Sequence, residues 1–78
     1  MNADETKIQR CVNEALDEYF ETLGDQEPSA LHKLVMEEVE STLIRYVMRH
    51  CRENQCRVSK VLGINRGTLR KRLKQYEI

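Results

Sequence analysis

The segment from Ala30 to Cys51 carries more apolar surface than one neighbouring helix can cover, and this excess limits what the chain can fold into. Its apolar residues recur at steps of three and four, the spacing of a long amphipathic helix. A chain of 78 residues buries only ~60% of the surface that its unfolded form exposes, so a core made by one copy would be marginal. The main stripe is Leu31, Leu34, Val35, Val39, Leu43, Val47 and Cys51, and Met36, Ile44 and Met48 lie off it.

Two arrangements would cover the second apolar face: a second copy of the chain, or the last third of the same chain. We favour the second copy, because self-association is a common remedy for a small core. With one Pro and three Gly in the chain, the sequence predicts an all-α fold with four helices per subunit and an interlocked helical dimer core. The predicted dimer core is Tyr19, Phe20, Leu34, Val35, Val39, Leu43 and Val47.

The chain divides into two predicted regions. Residues 1–53 are expected to hold the dimerisation helices, at about 6–23 and 30–51, and Gly24 is a natural stop for the first of them. Residues 54–78 are expected to hold two shorter helices, at about 55–62 and 66–76, with Asn54 and Asn65 as their N-caps.

Two short helices joined by a Gly-containing turn indicate a helix-turn-helix. Gly63 stands where the turn needs a positive φ, and Ser59 is small where the two helices must approach closely. The predicted core of this motif is Gln55, Val58, Ser59, Leu62, Gly63, Ile64, Leu69 and Leu73.

The formal net charge of zero hides a strong segregation of charge. Residues 1–44 carry eleven acids and three bases, a balance of −8, whereas residues 45–78 carry ten bases and two acids, a balance of +8. Such asymmetry indicates an anionic partner for one end of the chain, or two halves that attract each other.

Five bases stand between Arg66 and Lys74, with no acid among them. At about 100° per residue, Lys71 lies opposite the apolar stripe of the last helix, with Arg66 and Arg70 on one shoulder. Gly67 weakens this helix, and a close approach to DNA would explain it. This pattern favours DNA as the partner, although a basic helix that docks on an acidic protein stays an alternative.

Other function classes lack support in the sequence. There is no Gly-rich phosphate loop, no nucleophile with a His and Asp, and no cluster of metal ligands, so we expect no enzyme, no metal and no cofactor. The three cysteines, Cys11, Cys51 and Cys56, form no CxxC pair and are expected to be reduced thiols of an intracellular protein. No run approaches the ~20 apolar residues of a membrane helix.

The segment from Gly63 to Lys74 (GINRGTLRKRLK) resembles the C-terminal signature of the Fis family, bacterial nucleoid-associated factors for inversion stimulation. The resemblance extends upstream through Asn54-Gln55, Glu38-Val39-Glu40 and Tyr19-Phe20. A similar helix-turn-helix ends the NtrC-type transcriptional activators, so a DNA-binding and dimerisation module of that type is the alternative.

The resemblance implies a cytoplasmic homodimer of the bacterial nucleoid that binds and bends double-stranded DNA at degenerate sites and regulates transcription. RNA polymerase is a candidate protein partner. By resemblance, the base contacts are Asn65, Arg66 and Lys71. The phosphate contacts are Asn54, Cys56, Thr68, Arg70 and Lys74.

Three positions depart from the enteric pattern of the family. Cys56 stands for a Thr and is a weaker donor to phosphate, Thr42 stands for a Pro that kinks the second helix, and Gln75 stands for a Lys. Enteric members also begin with a β-hairpin arm that activates a DNA invertase. About five residues precede the first predicted helix, so we expect no activation of Hin-type inversion.

Overall fold

The computed structural model describes residues 4–78. The described residues form four helices: α1 (Lys7–Leu23), α2 (Leu31–His50), α3 (Gln55–Leu62) and α4 (Arg66–Gln75). The predicted all-α fold of four helices is confirmed. Helix α2 is one residue shorter at each end than expected, and α4 ends one residue earlier because Tyr76 is its C-cap.

Two compact units make up the chain, one ending at Leu31 and the other spanning His32–Ile78. The first contains α1, which begins with a capping box. Gln9 donates its backbone N–H to Thr6 Oγ1 at 3.1 Å, and its side-chain Oε1 accepts from the Thr6 N–H at 2.8 Å. Thr6 is therefore the cap of α1 and not its first helical residue. The Tyr19 and Phe20 rings meet edge to face at 5.9 Å between centroids.

The second unit combines α2 with α3 and α4, although the sequence assigned α2 to the region before residue 54. Its buried core comes from all three helices and the turn after α2. The core residues are Ile44, Val47, Met48, Cys51, Val58, Leu69 and Leu73, with Leu62, Ile64 and Tyr76 packed against them.

Val47, a residue of the predicted dimer core, is only 7% exposed and packs inside this unit. The last third of the chain therefore covers one apolar face of the C-terminal half of α2, as the alternative arrangement required. The other apolar stripe of α2 stays outside this core: Met36, Val39, Leu43 and Tyr46 are exposed on one side of the helix, and Leu34 is exposed apart from them.

The turn after α2 brings the chain back toward that core. Cys51 is fully buried, and the next two residues, Arg52 and Glu53, have φ of 52° and 64°. The Glu53 N–H donates to the Met48 carbonyl at 2.8 Å, and the Asn54 N–H donates to the Cys51 carbonyl at 3.1 Å. These bonds satisfy carbonyls left free at the end of α2.

The turn between α3 and α4 depends on Gly63, which has φ 72° and ψ 30°. The Ser59 carbonyl accepts from both the Gly63 N–H at 2.9 Å and the Ile64 N–H at 3.1 Å. The Ser59 hydroxyl donates to the Cys56 carbonyl at 2.9 Å. Ser59 is thus buried with its polar groups paired, at the point where the chain leaves α3.

We predict that Gly63→Ala lowers the free energy of unfolding by about 1–2 kcal/mol, the cost of the left-handed conformation for a residue with a Cβ. The space around Gly63 is open, with no atom within 4 Å of an added Cβ, so the cost comes from the backbone alone. Urea unfolding measures it. Gly63→Asn is the matched control, since Asn tolerates this conformation and should lose less; equal losses for both variants would contradict the explanation.

Candidate nucleic-acid interface

The two helices of the motif begin with the predicted asparagine caps. Asn54 Oδ1 accepts from the Arg57 N–H at 3.2 Å, and Asn65 Oδ1 accepts from the Gly67 N–H at 2.7 Å. Each cap satisfies one of the free N–H groups of a first turn. Because capping uses the Asn65 oxygen, its amide NH₂ stays available to donate, and it has no partner within residues 4–78.

The structure gives a local explanation for the glycine at position 67, which the sequence did not reveal. A Cβ at this position would lie 3.0 Å from Asn65 Oδ1, the atom that caps the helix. A larger residue would push against the capping amide. Close approach to a partner is therefore not needed to explain this glycine.

Helix α4 has one face in the core and one in solvent. Leu69 and Leu73 are buried, and they fall one turn apart on the same side. The exposed side carries four bases that make no ion pair or hydrogen bond through their side chains within the described part of the chain. These are Arg66, Arg70, Lys71 and Lys74.

The structure places every predicted DNA contact at the surface. Asn65, Arg66, Thr68, Arg70, Lys71 and Lys74 are exposed on α4 or at its cap, and Asn54 and Cys56 are exposed at the start of α3. Of the predicted motif core, Val58, Ser59, Leu69 and Leu73 are buried, Gln55, Leu62 and Ile64 are half-buried, and Gly63 is exposed in the turn.

Arg72, the fifth base of the run, differs from the other four because its side chain is paired within the chain. Its Nε lies 3.1 Å from Glu40 Oε1, and one of its terminal nitrogens donates to Gln75 Oε1 at 3.2 Å. No acid stands within the run itself, and Arg72 is paired by an acid from another helix. The acid comes from α2, far away along the chain.

Tyr76 makes a second contact with the same carboxylate. Its hydroxyl donates to Glu40 Oε1 at 2.5 Å, and the Arg45 guanidinium donates to its backbone carbonyl at 3.3 Å. Glu40, Arg45, Arg72 and Tyr76 form a polar cluster that joins α2 to the end of α4. We call these residues the Glu40 cluster.

Sequence reasoning did not assign a role to the Glu40 cluster. The signals for it were present: Glu40 belongs to the Glu38-Val39-Glu40 segment, and Tyr76 continues the buried stripe of α4. What was missing was the pairing of α2 with α4, which spacing along the chain does not reveal.

Neither a metal-ligand cluster nor a membrane-spanning helix is present among the described residues. Within residues 4–78, no group of three or more His, Cys, Asp or Glu side chains is arranged to hold a metal ion, and the three thiols are free. None of the helices in this part of the chain is both long and apolar enough to span a membrane.

Comparison with known proteins assigns the chain to a family. The family described as "Bacterial regulatory protein, Fis family" matches residues 35–76. The DNA-binding protein Fis of Glaesserella parasuis is 42% identical over 80 residues, which cover 97% of this chain and 82% of that protein. This chain belongs to the Fis family. The Fis proteins of Yersinia enterocolitica and Proteus mirabilis are 51% and 49% identical over 69 residues, covering 88% of this chain and 70% of each relative.

The Fis similarity reaches beyond the helix-turn-helix. An alignment over 97% of the chain includes α1 and the whole of α2. The alternative of an NtrC-type module rested on the C-terminal helices alone, and this extended similarity does not favour it.

The hydrogen bond to Glu40 makes Tyr76 sensitive to alkaline pH. This bond is the main cause that raises the pKa of Tyr76 above its ordinary value of 10.0, with desolvation and the Glu40 charge adding to it and the Arg72 charge opposing it. The folded chain therefore holds this proton where the unfolded chain releases it. The stabilisation is complete below about pH 10 and is lost as the pH rises through the folded-state pKa.

We predict that the stability difference between the unchanged protein and Tyr76→Phe shrinks as the pH is raised above about 10. Urea unfolding of both proteins across this range measures it. Tyr76→Phe in a Glu40→Gln background is the matched control, because the carboxylate that accepts from the Tyr76 hydroxyl is then absent. The same pH dependence in the control would contradict the assignment to the Glu40 contact.

Proposed function

We propose that this Fis-family chain is a homodimeric protein that binds and bends double-stranded DNA, and that it acts as a nucleoid-associated regulator of transcription, not as an enzyme. The observation that carries the proposal is the outer face of α4. Four bases stand there unpaired within residues 4–78, while the fifth, Arg72, is held by Glu40. The relatives named above are each called DNA-binding protein Fis, which supports the same conclusion.

Helix α4 is proposed as the recognition helix in the major groove, with its N-terminal residues at the base edges. Arg66 is suited to read guanine, because a guanidinium can donate two parallel hydrogen bonds to guanine O6 and N7. Asn65 can donate from its amide while its oxygen caps the helix. Lys71, opposite the buried stripe, is the third proposed base contact.

The remaining proposed contacts hold the phosphate backbone and set the register of the protein on DNA. Arg70 and Lys74 supply charge, and Thr68 supplies a hydroxyl. Asn54 and Cys56, at the start of α3, lie where free backbone N–H groups favour an anion. The Cys56 thiol is a weak donor, so we assign it the smallest part.

A homodimer is proposed because the stripe of α2 outside the core carries exposed apolar residues. Met36, Val39, Leu43 and Tyr46 occupy this stripe. Leu34 on α2 and Ile8 and Phe20 on α1 are exposed as well. An exposed apolar stripe on a helix indicates a protein–protein contact. A two-fold symmetric dimer would cover it with the same face of a second copy.

Bending follows from the proposed dimer and the family resemblance. The family resemblance implies that the two recognition helices of the dimer lie closer than the ~34–36 Å between ordinary half-sites, so they can reach successive major grooves only if the DNA bends. Specificity then comes partly from how easily a sequence deforms. We further propose that the protein acts in the bacterial cytoplasm, on the nucleoid, with RNA polymerase as a candidate partner.

We predict that Arg66→Ala costs roughly 1–3 kcal/mol of binding on duplexes with half-site guanines and relaxes the preference for guanine. Lys74→Ala should weaken all sequences similarly and reduce the salt slope by about one. Fluorescence anisotropy at several salt concentrations measures both effects. Lys33→Ala is the control, since it removes the same charge from an exposed position on α2.

Two results would contradict these assignments. If Arg66→Ala weakened all duplexes equally, as Lys74→Ala should, Arg66 would not read bases. A binding constant that hardly changes with salt would contradict DNA binding itself, since each neutralised phosphate adds about −0.9 to the slope. That second result would favour an acidic protein as the partner of α4.

We predict that Leu43→Glu converts the dimer to a monomer, because it places a charge in the proposed interface. Leu43 is 49% exposed, so the substitution leaves the buried core of the single chain intact. Sedimentation equilibrium measures the mass. Lys33→Glu on the same helix is the control and should stay dimeric; a monomeric unchanged protein would overturn the dimer.

A further inference from the structure

The Glu40 cluster joins the proposed recognition helix to α2 through two hydrogen bonds and one ion pair. Glu40 Oε1 accepts a hydrogen bond from the Tyr76 hydroxyl at 2.5 Å, and it lies 3.1 Å from Arg72 Nε in an ion pair that lacks hydrogen-bond geometry. A third contact, 3.3 Å long, runs from the Arg45 guanidinium to the Tyr76 carbonyl. Glu40 and Arg45 are separated by five positions on α2, so the cluster holds the end of α4 at two levels along that helix.

Arg72 and Tyr76 lie one helical turn apart, on the side of α4 that carries Leu69 and Leu73. The two leucines bury this side of α4 in the core. Apolar contacts have no preferred direction, so they tolerate small rotations of the helix. Hydrogen bonds weaken steeply away from their preferred angle. The Tyr76–Glu40 and Arg45–Tyr76 hydrogen bonds therefore add a directional restraint on the rotation of α4 to the apolar packing of Leu69 and Leu73.

The two classes of proposed DNA contact differ in how much they depend on that rotation. Side-chain ends on a helix lie about 5–6 Å from its axis, so a rotation of about 20° moves them by about 2 Å. A displacement of this size breaks a bidentate hydrogen bond to a base edge. It changes the attraction between a lysine and the phosphates far less, since that attraction falls slowly with distance.

We propose that Glu40 is a positioning residue for sequence discrimination: by holding Arg72 and Tyr76 it sets the rotation of α4 that aims Arg66 and Asn65 at base edges. This inference rests on the proposed function. In this proposal Glu40 does not contact DNA. Arg72 helps to orient α4, although it lies within the basic run.

The exposure of the cluster makes this role separable from folding. The side chains of Arg72 and Glu40 are 33% and 40% exposed, and ion pairs with this much solvent contact stabilise a fold only slightly. Removing Glu40 should therefore leave a folded protein whose recognition helix is less well oriented.

The test compares Glu40→Ala with Glu38→Ala on DNA. Both variants remove a carboxylate from α2, and the side chain of Glu38 is exposed and outside the Glu40 cluster. The readout is the Kd for a duplex with adenines in place of the half-site guanines divided by the Kd for the guanine duplex, together with the salt slope. We expect Glu40→Ala to lower this ratio roughly 3–10-fold, a part of the discrimination that one bidentate contact supplies. Its salt slope should match that of Glu38→Ala, which should keep the full ratio.

Tyr76→Phe is the second variant, because it removes only the hydroxyl that binds Glu40 and should also lower the ratio. Circular dichroism and thermal melting establish the folded fraction of each variant. An unchanged ratio in both folded variants would overturn the proposal, as would equal weakening on both duplexes, which would indicate a merely structural role. Failure of the proposed function is distinct, because then Arg66→Ala would not change the ratio either.

Discussion

The packing of the C-terminal half of α2 against the helix-turn-helix is the interaction on which the rest of the structure depends. Ile44, Val47, Met48 and Cys51 give α3 and α4 a surface to fold on, since two helices of eight and ten residues are too short to be stable by themselves. The same packing leaves the other stripe of α2 uncovered. One helix thus supports the proposed DNA-binding motif and offers the proposed dimer interface.

Charge is distributed in keeping with this division. The excess of bases in residues 45–78 is concentrated in and around the motif. One of these bases, Arg72, forms an ion pair with Glu40 and is proposed to orient α4. The bases that stay free lie on the outer face of that helix. A protein with no formal net charge can therefore present strongly basic surfaces to an anionic partner, while its acidic residues lie mostly in α1 and the first half of α2.

Local features of the fold could be predicted from the sequence, whereas contacts between distant segments could not. Gly63, Asn54 and Asn65 act on residues within a few positions of themselves, so their spacing is enough to predict a turn and two caps. The packing of Val47 inside the second unit and the ion pair of Arg72 with Glu40 could not be predicted, because their partners are distant in sequence. Helical periodicity shows that a face is apolar or basic, but it does not identify what covers that face.

The most direct test of the account is a circular-permutation bending assay with a site whose half-site guanines are set for the proposed dimer. DNA binding, the dimer and the close spacing of its recognition helices must all hold for a bend to form. The account predicts that the mobility of the complex depends on the position of the site and is lowest when the site is central. Complexes that migrate equally at every position would contradict it.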